Sequence, residues 1–123
     1  PEGEHSDFAY SIGFEESYRH PEVMIFGLGK DVSQAILADI AKDIQSGAVF
    51  EPGKRVPDVI GGDLDVCFQS VRPEAYDEYL GTAANYYQGP FRALVMFWPD
   101  KFNVLPQEDG WQENDQVEAT KIV

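Results

Sequence analysis

Apolar and small residues alternate over the first strand-like segment of the chain, at residues 8–14. The aromatic and aliphatic side chains fall on one face of an extended segment, and Ala, Ser and Gly fall on the other. A second segment, at residues 22–28, contains a continuous apolar run that is typical of a strand buried on both faces. Pro21 starts this segment in extended form after a polar stretch at residues 15–20. The pattern therefore predicts two consecutive strands.

The apolar period then changes from that of a strand to that of a helix. Asp31 is a suitable N-cap, Gln34 completes a pair of the capping-box type, and Gly47 supplies the C-terminal stop. A second helix is expected to begin at Pro73 and to end before Gly89. The residues expected on the buried faces of the two helices are Val32, Ile36, Leu37, Ile40 and Ile44, followed by Tyr76, Leu80, Ala83, Ala84 and Tyr87.

Two more strands complete the predicted fold. Residues 64–71 alternate as in a half-exposed strand, and residues 91–98 carry seven apolar side chains in eight, as in a central strand. Between the first helix and these strands, the prolines and glycines of residues 48–63 allow at most short edge strands. The order strand, strand, helix, strand, helix, strand predicts an α+β fold, with a mainly antiparallel sheet and two helices packed on one face.

The length of the chain fits a single domain over residues 1–123. Residues 1–7 are polar and rich in helix breakers, so we expect an N-terminal loop there. Residues 112–123 are acidic and weakly patterned, which predicts either a loosely held tail or a short peripheral element.

The strongest feature of the composition is an excess of acidic residues. Twenty-two acids against nine bases give a formal charge of −13. Proteins that bind nucleic acids or anionic membranes neutralise phosphates with clustered Lys and Arg, whereas the only adjacent basic pair here is Lys54-Arg55. The composition therefore argues against both of those partners. An acidic surface accelerates the encounter with a basic protein, although solubility alone also explains such a charge.

Cys67 is the only cysteine, which excludes an intrachain disulfide and a multi-cysteine zinc site. A single cysteine suits the reducing cytoplasm, and Arg72 is the only basic residue near it, so we expect an inert thiol. No apolar run approaches the roughly 18 residues of a membrane helix, and no motif indicates a cofactor. The chain begins at Pro1 without a methionine, which leaves a cleaved leader open.

Several short motifs occur in a distinctive order along the chain. They are Phe8-Ala9-Tyr10-Ser11-Ile12-Gly13, His20-Pro21-Glu22, Phe26-Gly27-Leu28, Tyr86-Tyr87 and Trp98-Pro99-Asp100. In this order, over residues 8–111, the sequence resembles the bacterial family named domain of unknown function 4262. The resemblance implies no particular activity.

The chain departs from the pattern of that family at two places. The family often has an upstream strand that ends just before the position of Pro1. After Trp98-Pro99-Asp100 it tends toward a Gly- and Pro-rich stretch, where this chain has Phe102-Asn103-Val104-Leu105-Pro106.

His20 and Glu22 are the first candidates for catalysis. A histidine at the start of a strand suits acid–base chemistry near neutral pH, and in an extended strand Glu22 points to the same side. Asp100 would complete a set of two carboxylates and one histidine, but nothing in the spacing brings it near, so no metal ligand is predicted. The alternative is structural, with His20 bonded locally at the Pro21 turn and Asp100 capping a turn.

Four further residues are candidates for ligand binding: Tyr10, Ser11, Tyr87 and Trp98. Trp98 is the last residue of the predicted central strand, at the end where α/β-type sheets often bind ligands. Tyrosines supply apolar walls with polar rims, and Tyr86 has the same character. Ser11 lacks the Gly-x-Ser-x-Gly context of a hydrolase nucleophile. The alternative is that the aromatic residues belong to the core and satisfy their polar atoms internally.

Two functions follow from these candidates. The first is a protein- or ligand-binding module without catalysis, whose charge suits a basic protein partner and would suit an immunity-like role. The alternative is an enzyme or a small-ligand site built around Tyr10, His20, Glu22, Trp98 and Asp100. The sequence does not decide whether the protein is an enzyme.

The first predicted strand also bears on assembly. Without an upstream strand, an edge at residues 8–14 lacks a pairing partner, and an unpaired edge invites pairing with another chain. The negative charge opposes self-association, but salt screens that repulsion. We therefore expect a homodimer that becomes stronger with salt.

Overall fold

The computed structural model describes residues 7–123, in which five strands form one mixed sheet. The strands are β1 (Phe8–Tyr10), β2 (Glu22–Phe26), β3 (Arg55–Val56), β4 (Val66–Ser70) and β5 (Ala93–Phe97). Their spatial order is β1-β2-β5-β4-β3. β2 and β5 run parallel, with Glu22 beside Ala93, and the other neighbouring strands are antiparallel. These features confirm the predicted α+β class and the mainly antiparallel sheet, and they place the apolar strand β5 at its centre.

The helices include two short ones that the sequence pattern did not predict as helices. They are α1 (Phe14–Tyr18), α2 (Lys30–Gln45), α3 (Tyr76–Tyr79), α4 (Gly81–Tyr87) and α5 (Val117–Thr120), and a 3-10 turn at Pro73–Ala75 precedes α3. The short helix α1 starts at Phe14, the last residue of the first predicted strand, and continues into the predicted polar segment, so β1 is shorter than predicted. The second predicted helix is divided, because Leu80 leaves helical geometry at φ −119° and ψ 30° between α3 and α4. No helix within residues 7–123 has the length and apolarity needed to cross a bilayer.

Helices cover both faces of the sheet. Val23 and Ile25 of β2 pack in one core with Leu37 of α2, whereas Met24 and Phe26 pack in another with Tyr79 and Leu80. This differs from the predicted placement of both helices on one face. The physical reason is the continuous apolar run itself, because successive strand residues point to opposite faces and each face then needs cover. The structure confirms that β2 is buried throughout.

The start of α2 corrects two local predictions. The N-cap is Gly29, and α2 starts at Lys30, so Asp31 lies inside the first turn and is not the cap. In this first turn Ser33 is buried, whereas Val32, which was predicted on the buried face, is 51% exposed. Leu37, Ile40 and Ile44 are buried, as predicted.

The C-terminal segment is a peripheral element that is anchored to the core. Gln116, Ala119 and Ile122 are buried, and the Arg72 amide donates to the Ile122 carbonyl at 2.7 Å. Of the two predicted alternatives for residues 112–123, the structure therefore has the second, and the segment is not loosely held. Residues 1–6 of the predicted N-terminal loop lie outside the described residues.

Candidate functional site

Glu22 is the centre of a buried polar network at the start of β2, and its side chain is fully buried. The Ser11 hydroxyl donates to Oε1 at 2.6 Å, and the backbone amides of Gly13, Phe14 and Glu15 donate to the two carboxylate oxygens at 3.1 Å. These amides belong to the first turn of α1, where helical N–H groups lack partners within the helix. Gly13, the N-cap, has no side chain to serve them. Glu22 therefore caps α1 from a neighbouring strand, at the end of the helix where acidic side chains are favourable.

Tyr87 joins this network from α4. Its hydroxyl donates to Oε2 of Glu22 and accepts from the amides of Gly13 at 3.1 Å and Glu16 at 3.3 Å. Burial and the hydrogen bond to Glu22 raise the pKa of Tyr87 to about 12. The phenol therefore keeps its proton at physiological pH and serves as a donor. Ser11, Glu22 and Tyr87, which the sequence singled out separately, thus meet at one point.

Two further contacts fix α1 in place. Arg92, just before β5, forms a two-pronged ion pair with Glu15 at 2.9 and 2.6 Å, which holds the pKa of Glu15 below its ordinary value. The Tyr86 hydroxyl hydrogen-bonds the Glu16 carboxylate at the surface. Helix α1 is therefore held by the Glu22 cap at its first turn, by the ion pair of Glu15 with Arg92, and by the tyrosines of α4.

The hydrogen bonds of the network join parts of the protein to one another and leave Glu22 inaccessible to a ligand. The Ser11 hydroxyl donates its proton to Glu22 and accepts from the Val23 amide at 3.0 Å. Glu22 receives five hydrogen bonds and has no exposed surface. A substrate would have to displace these internal donors before it could reach either group, and such a displacement is costly for a buried carboxylate.

His20 is also engaged with the main chain on both sides of its ring. Nε2 accepts the Phe50 amide hydrogen at 3.0 Å, and Nδ1 lies 2.8 Å from the Pro21 carbonyl. An accepting Nε2 requires the proton on Nδ1, which then donates to that carbonyl. The ring is 3% exposed and meets the Phe50 ring edge-on. His20 therefore joins the start of β2 to the loop at Phe50, and its partners are different from those of Glu22.

Asp100 lies at the other end of the sheet. Its carboxylate accepts the amides of Phe102, Val104 and Gln112 at 2.8 to 3.1 Å, which organises the loop after β5. Glu22 lies beside Ala93 at the start of the parallel pair, whereas Asp100 follows Phe97, the last residue of β5, so the two carboxylates lie at opposite ends of that pair. The structure therefore does not bring Asp100 together with His20 and Glu22. Within residues 7–123 no group of three or more His, Cys, Asp or Glu side chains is arranged to hold a metal ion.

Trp98 is held by a residue that sequence reasoning missed. The side-chain amide of Gln116 accepts from the backbone N–H of Trp98 at 2.9 Å and donates to the Trp98 backbone carbonyl at 2.7 Å. The indole Nε1 of Trp98 donates to the Phe26 carbonyl at 2.8 Å. Gln116 has no exposed surface, yet it stands in a polar, acidic stretch, and no sequence pattern distinguishes it there. The polar groups of Trp98 therefore bond to Gln116 and Phe26 within the protein, at the end of the sheet where β5 ends.

Cys67 lies on β4, between β5 and β3. Its side chain is buried on β4, and desolvation raises the pKa of the thiol. A raised pKa lowers the fraction of thiolate, which is the reactive form.

Tyr10 lines an open cleft along β1, outside the polar network. The cleft has a volume of about 740 Å³ and also includes Ile12, Lys30 and Gln34 of α2, and Thr82 of α4. This volume lies within the range of ligand pockets in proteins. The cleft is the candidate binding site, because its lining side chains are accessible while those of the network are not.

The order of motifs in this sequence matches a known family. Residues 1–112 match the family described as Domain of unknown function (DUF4262). The chain belongs to the DUF4262 family. Ser11, Glu22, Tyr87, His20 and Trp98 all lie in the DUF4262 region, whereas Gln116 follows it. No curated protein and no solved structure matches the chain.

Proposed function

We propose that this DUF4262 protein is a binding module without catalytic activity, and that its partner is a basic protein. The observation that carries the proposal is an acidic surface that the chain does not neutralise. With twenty-two acids and nine bases, pairing each base with one acid leaves the whole charge of −13 uncompensated.

The positions of the acids support this proposal. Most are exposed, including Asp39 and Asp43 on the outer side of α2 and Asp109 and Glu113 in the loop before α5. The two buried carboxylates accept from neutral donors, so they use no lysine or arginine. A surface of one sign steers the approach of an oppositely charged protein and raises the association rate.

The arrangement of the candidate catalytic residues favours binding over catalysis. Glu22, His20 and Asp100 are buried, and each is engaged by main-chain groups of the protein itself. Acid–base catalysis needs a group within hydrogen-bond reach of a substrate proton. The three side chains are instead committed to holding β2, α1 and the loop after β5.

The test is capture of a partner from the cells that produce the protein, followed by titration with the purified partner. We expect a basic protein that binds at about 50 mM salt, is displaced by free DUF4262 protein, and binds at least about tenfold more weakly at about 500 mM salt. Calorimetry of the purified pair supplies the stoichiometry and Kd at both salt concentrations.

Two variants control the charge. Substitution of Asp39, Asp43 and Asp109 by Asn and of Glu113 by Gln removes four exposed charges and should weaken binding at low salt. Substitution of the exposed neutral residues Ser17, Asn85 and Gln107 by Ala should leave binding unchanged. Failure to recover a displaceable partner at low salt, or a partner whose Kd does not respond to salt or to the charge variant, contradicts the proposal.

A further inference from the structure

The free edge of β1 presents main-chain groups to the cleft. β1 is the first strand of the sheet order and pairs only with β2 among the described strands. The Ser11 amide donates to the Val23 carbonyl, and the Gly27 amide donates to the Asp7 carbonyl. Odd-numbered residues therefore direct their amides and carbonyls toward β2, because these directions alternate along an antiparallel strand.

It follows that Phe8 and Tyr10 direct their N–H and C=O groups away from the sheet. Within residues 7–123 these groups have no hydrogen-bond partner. They lie in the cleft, which is bounded by Lys30 and Gln34 of α2 on one side and by Thr82 of α4 on the other. Leu37 of α2 packs on one face of the sheet, whereas Tyr79 of α3 and Leu80, just before Thr82, pack on the other. β1 therefore forms the floor of the cleft, with α2 as one wall and the start of α4 as the other.

A cleft of this shape fits an extended polypeptide. A strand that pairs with β1 would satisfy the outward groups of Phe8 and Tyr10, and its side chains would point alternately to the two walls. The α4 side is apolar, because the Phe8 and Tyr10 rings stack there with centroids 6.3 Å apart. The α2 side is polar, because Lys30 and Gln34 lie there. The matching segment therefore alternates apolar and polar residues.

We propose that β1 is the docking strand of this module and that an extended, basic segment of the partner protein adds to its free edge. This inference rests on the proposed function and names the site at which the partner binds. The lining of the cleft carries one acid, Asp7, and one base, Lys30, so the net charge of the chain selects the occupant. A second copy of the chain would bring another −13, whereas a basic segment is attracted to the protein as a whole. Lys30 disfavours a basic side chain on the α2 wall, so the basic residues should lie at the end of the cleft near Asp7.

The probe is a displayed library of random twelve-residue peptides, selected on the full chain at low salt and then synthesised. We expect enriched peptides that contain Lys or Arg and alternate apolar with polar residues. When such a peptide is bound, hydrogen exchange at the Phe8 and Tyr10 amides should slow by about tenfold or more. The Ala9 amide faces β2 already and should change little.

Two modifications separate strand addition from other binding at this cleft. N-methylation of every second peptide residue should abolish binding in one frame and spare it in the other, because only one set of peptide amides faces β1. Gln34→Trp and Thr82→Trp fill the walls from exposed positions and should each weaken binding by about tenfold or more. Gln112→Trp, an exposed glutamine outside the cleft, is the matched control and should bind as the unmodified chain does.

The outcomes distinguish this inference from the proposed function. If a salt-sensitive basic partner binds but the Trp variants bind it equally and the Phe8 and Tyr10 amides stay unprotected, the docking strand is wrong and the proposed function stands. If those amides become protected with protein concentration alone, together with dimer formation, the edge takes a second copy and the inference is overturned. If neither peptide nor basic partner binds, both proposals fail.

Discussion

The side chain of Gln116 pairs with the main chain of Trp98 as a neighbouring strand would, with its carbonyl accepting at 2.9 Å and its amide donating at 2.7 Å. These two hydrogen bonds continue the main-chain pairing of β5 by one residue, to Trp98. They also attach the segment that contains α5 to the exit of the central strand. The last residues of the chain are therefore part of the folded structure.

Replacement of Gln116 should destabilise the protein more than replacement of an exposed glutamine. Gln116→Leu keeps the approximate volume but removes the side-chain partners of the part-buried N–H and C=O of Trp98, so we expect the free energy of unfolding to fall by about 2–4 kcal/mol. Gln112→Leu, at an exposed side chain, should change it by less than about 0.5 kcal/mol. Urea denaturation of both variants provides the comparison, and equal effects would show that the Gln116 pairing contributes nothing.

The adjacent tyrosines of α4 offer a matched pair. Tyr87→Phe removes a hydroxyl that serves Glu22 and the start of α1, and we expect a loss of about 1–2 kcal/mol in the free energy of unfolding. Tyr86→Phe removes a hydroxyl that bonds Glu16 at the surface, and the loss should stay within about 0.5 kcal/mol. Thermal or chemical denaturation measures both values. A larger loss for Tyr86→Phe than for Tyr87→Phe would contradict the assignment of the Glu22 network as the anchor of α1.

Gly27 is required by its backbone conformation and by a close approach. It has φ +85°, and a Cβ atom there would lie 2.7 Å from the Cβ of Asp115. Gly27→Ala should therefore lower the free energy of unfolding by about 2–4 kcal/mol, from left-handed strain and displacement of the Asp115 segment together. Gly53 has φ +92° with no atom near its added Cβ, so Gly53→Ala reports the strain alone and should cost about 1 kcal/mol. If the two variants unfold at the same denaturant concentration, the Asp115 contact has no energetic role.

Asp100 should contribute to the loss of stability in acid. Burial alone would raise the pKa of Asp100, but hydrogen bonds from the amides of Gln112, Val104 and Phe102 hold it below its ordinary value. A carboxyl group whose folded pKa is lowered stabilises the fold above its ordinary pKa, and this contribution is lost as the pH falls through the folded value. We therefore expect stability to decline below about pH 4, and Asp100→Asn to flatten that decline while lowering the Tm at neutral pH.

The measurement for Asp100 is the Tm between about pH 2 and pH 7. Asp39→Asn, at an exposed position of α2, is the control, and its Tm should fall with decreasing pH as that of the unmodified protein does. An Asp100→Asn variant whose Tm falls with acid as steeply as that of the control would rule out this role.

Local patterns were sufficient for most elements of the fold. The continuous apolar runs of β2 and β5 predicted buried strands, and the period of 3.6 residues with Leu37, Ile40 and Ile44 predicted α2. These patterns predict burial correctly because apolar side chains are removed from water when the chain folds. The same run in β2 contained the information that both faces need cover, although the predicted arrangement did not use it.

Helix α1 shows where local pattern fails. Its five residues form a helix whose first turn is capped by Glu22, which lies in β2 across a turn, and by Tyr87, which lies 65 residues after Glu22. No propensity within residues 14–18 carries this information, since an isolated helix of that length is not stable in water.

The sequence by itself determined the fold class, the buried strands, the long helix and the acidic surface, because each depends on composition or on a short-range period. It also selected Ser11, Glu22 and Tyr87. Only the tertiary structure decided that these three meet, that Asp100 lies at the opposite end of the sheet from His20, and that Gln116 is buried. Those relations join residues far apart in the chain, and they follow from strand order and helix placement. Sequence patterns of a few residues do not encode either one.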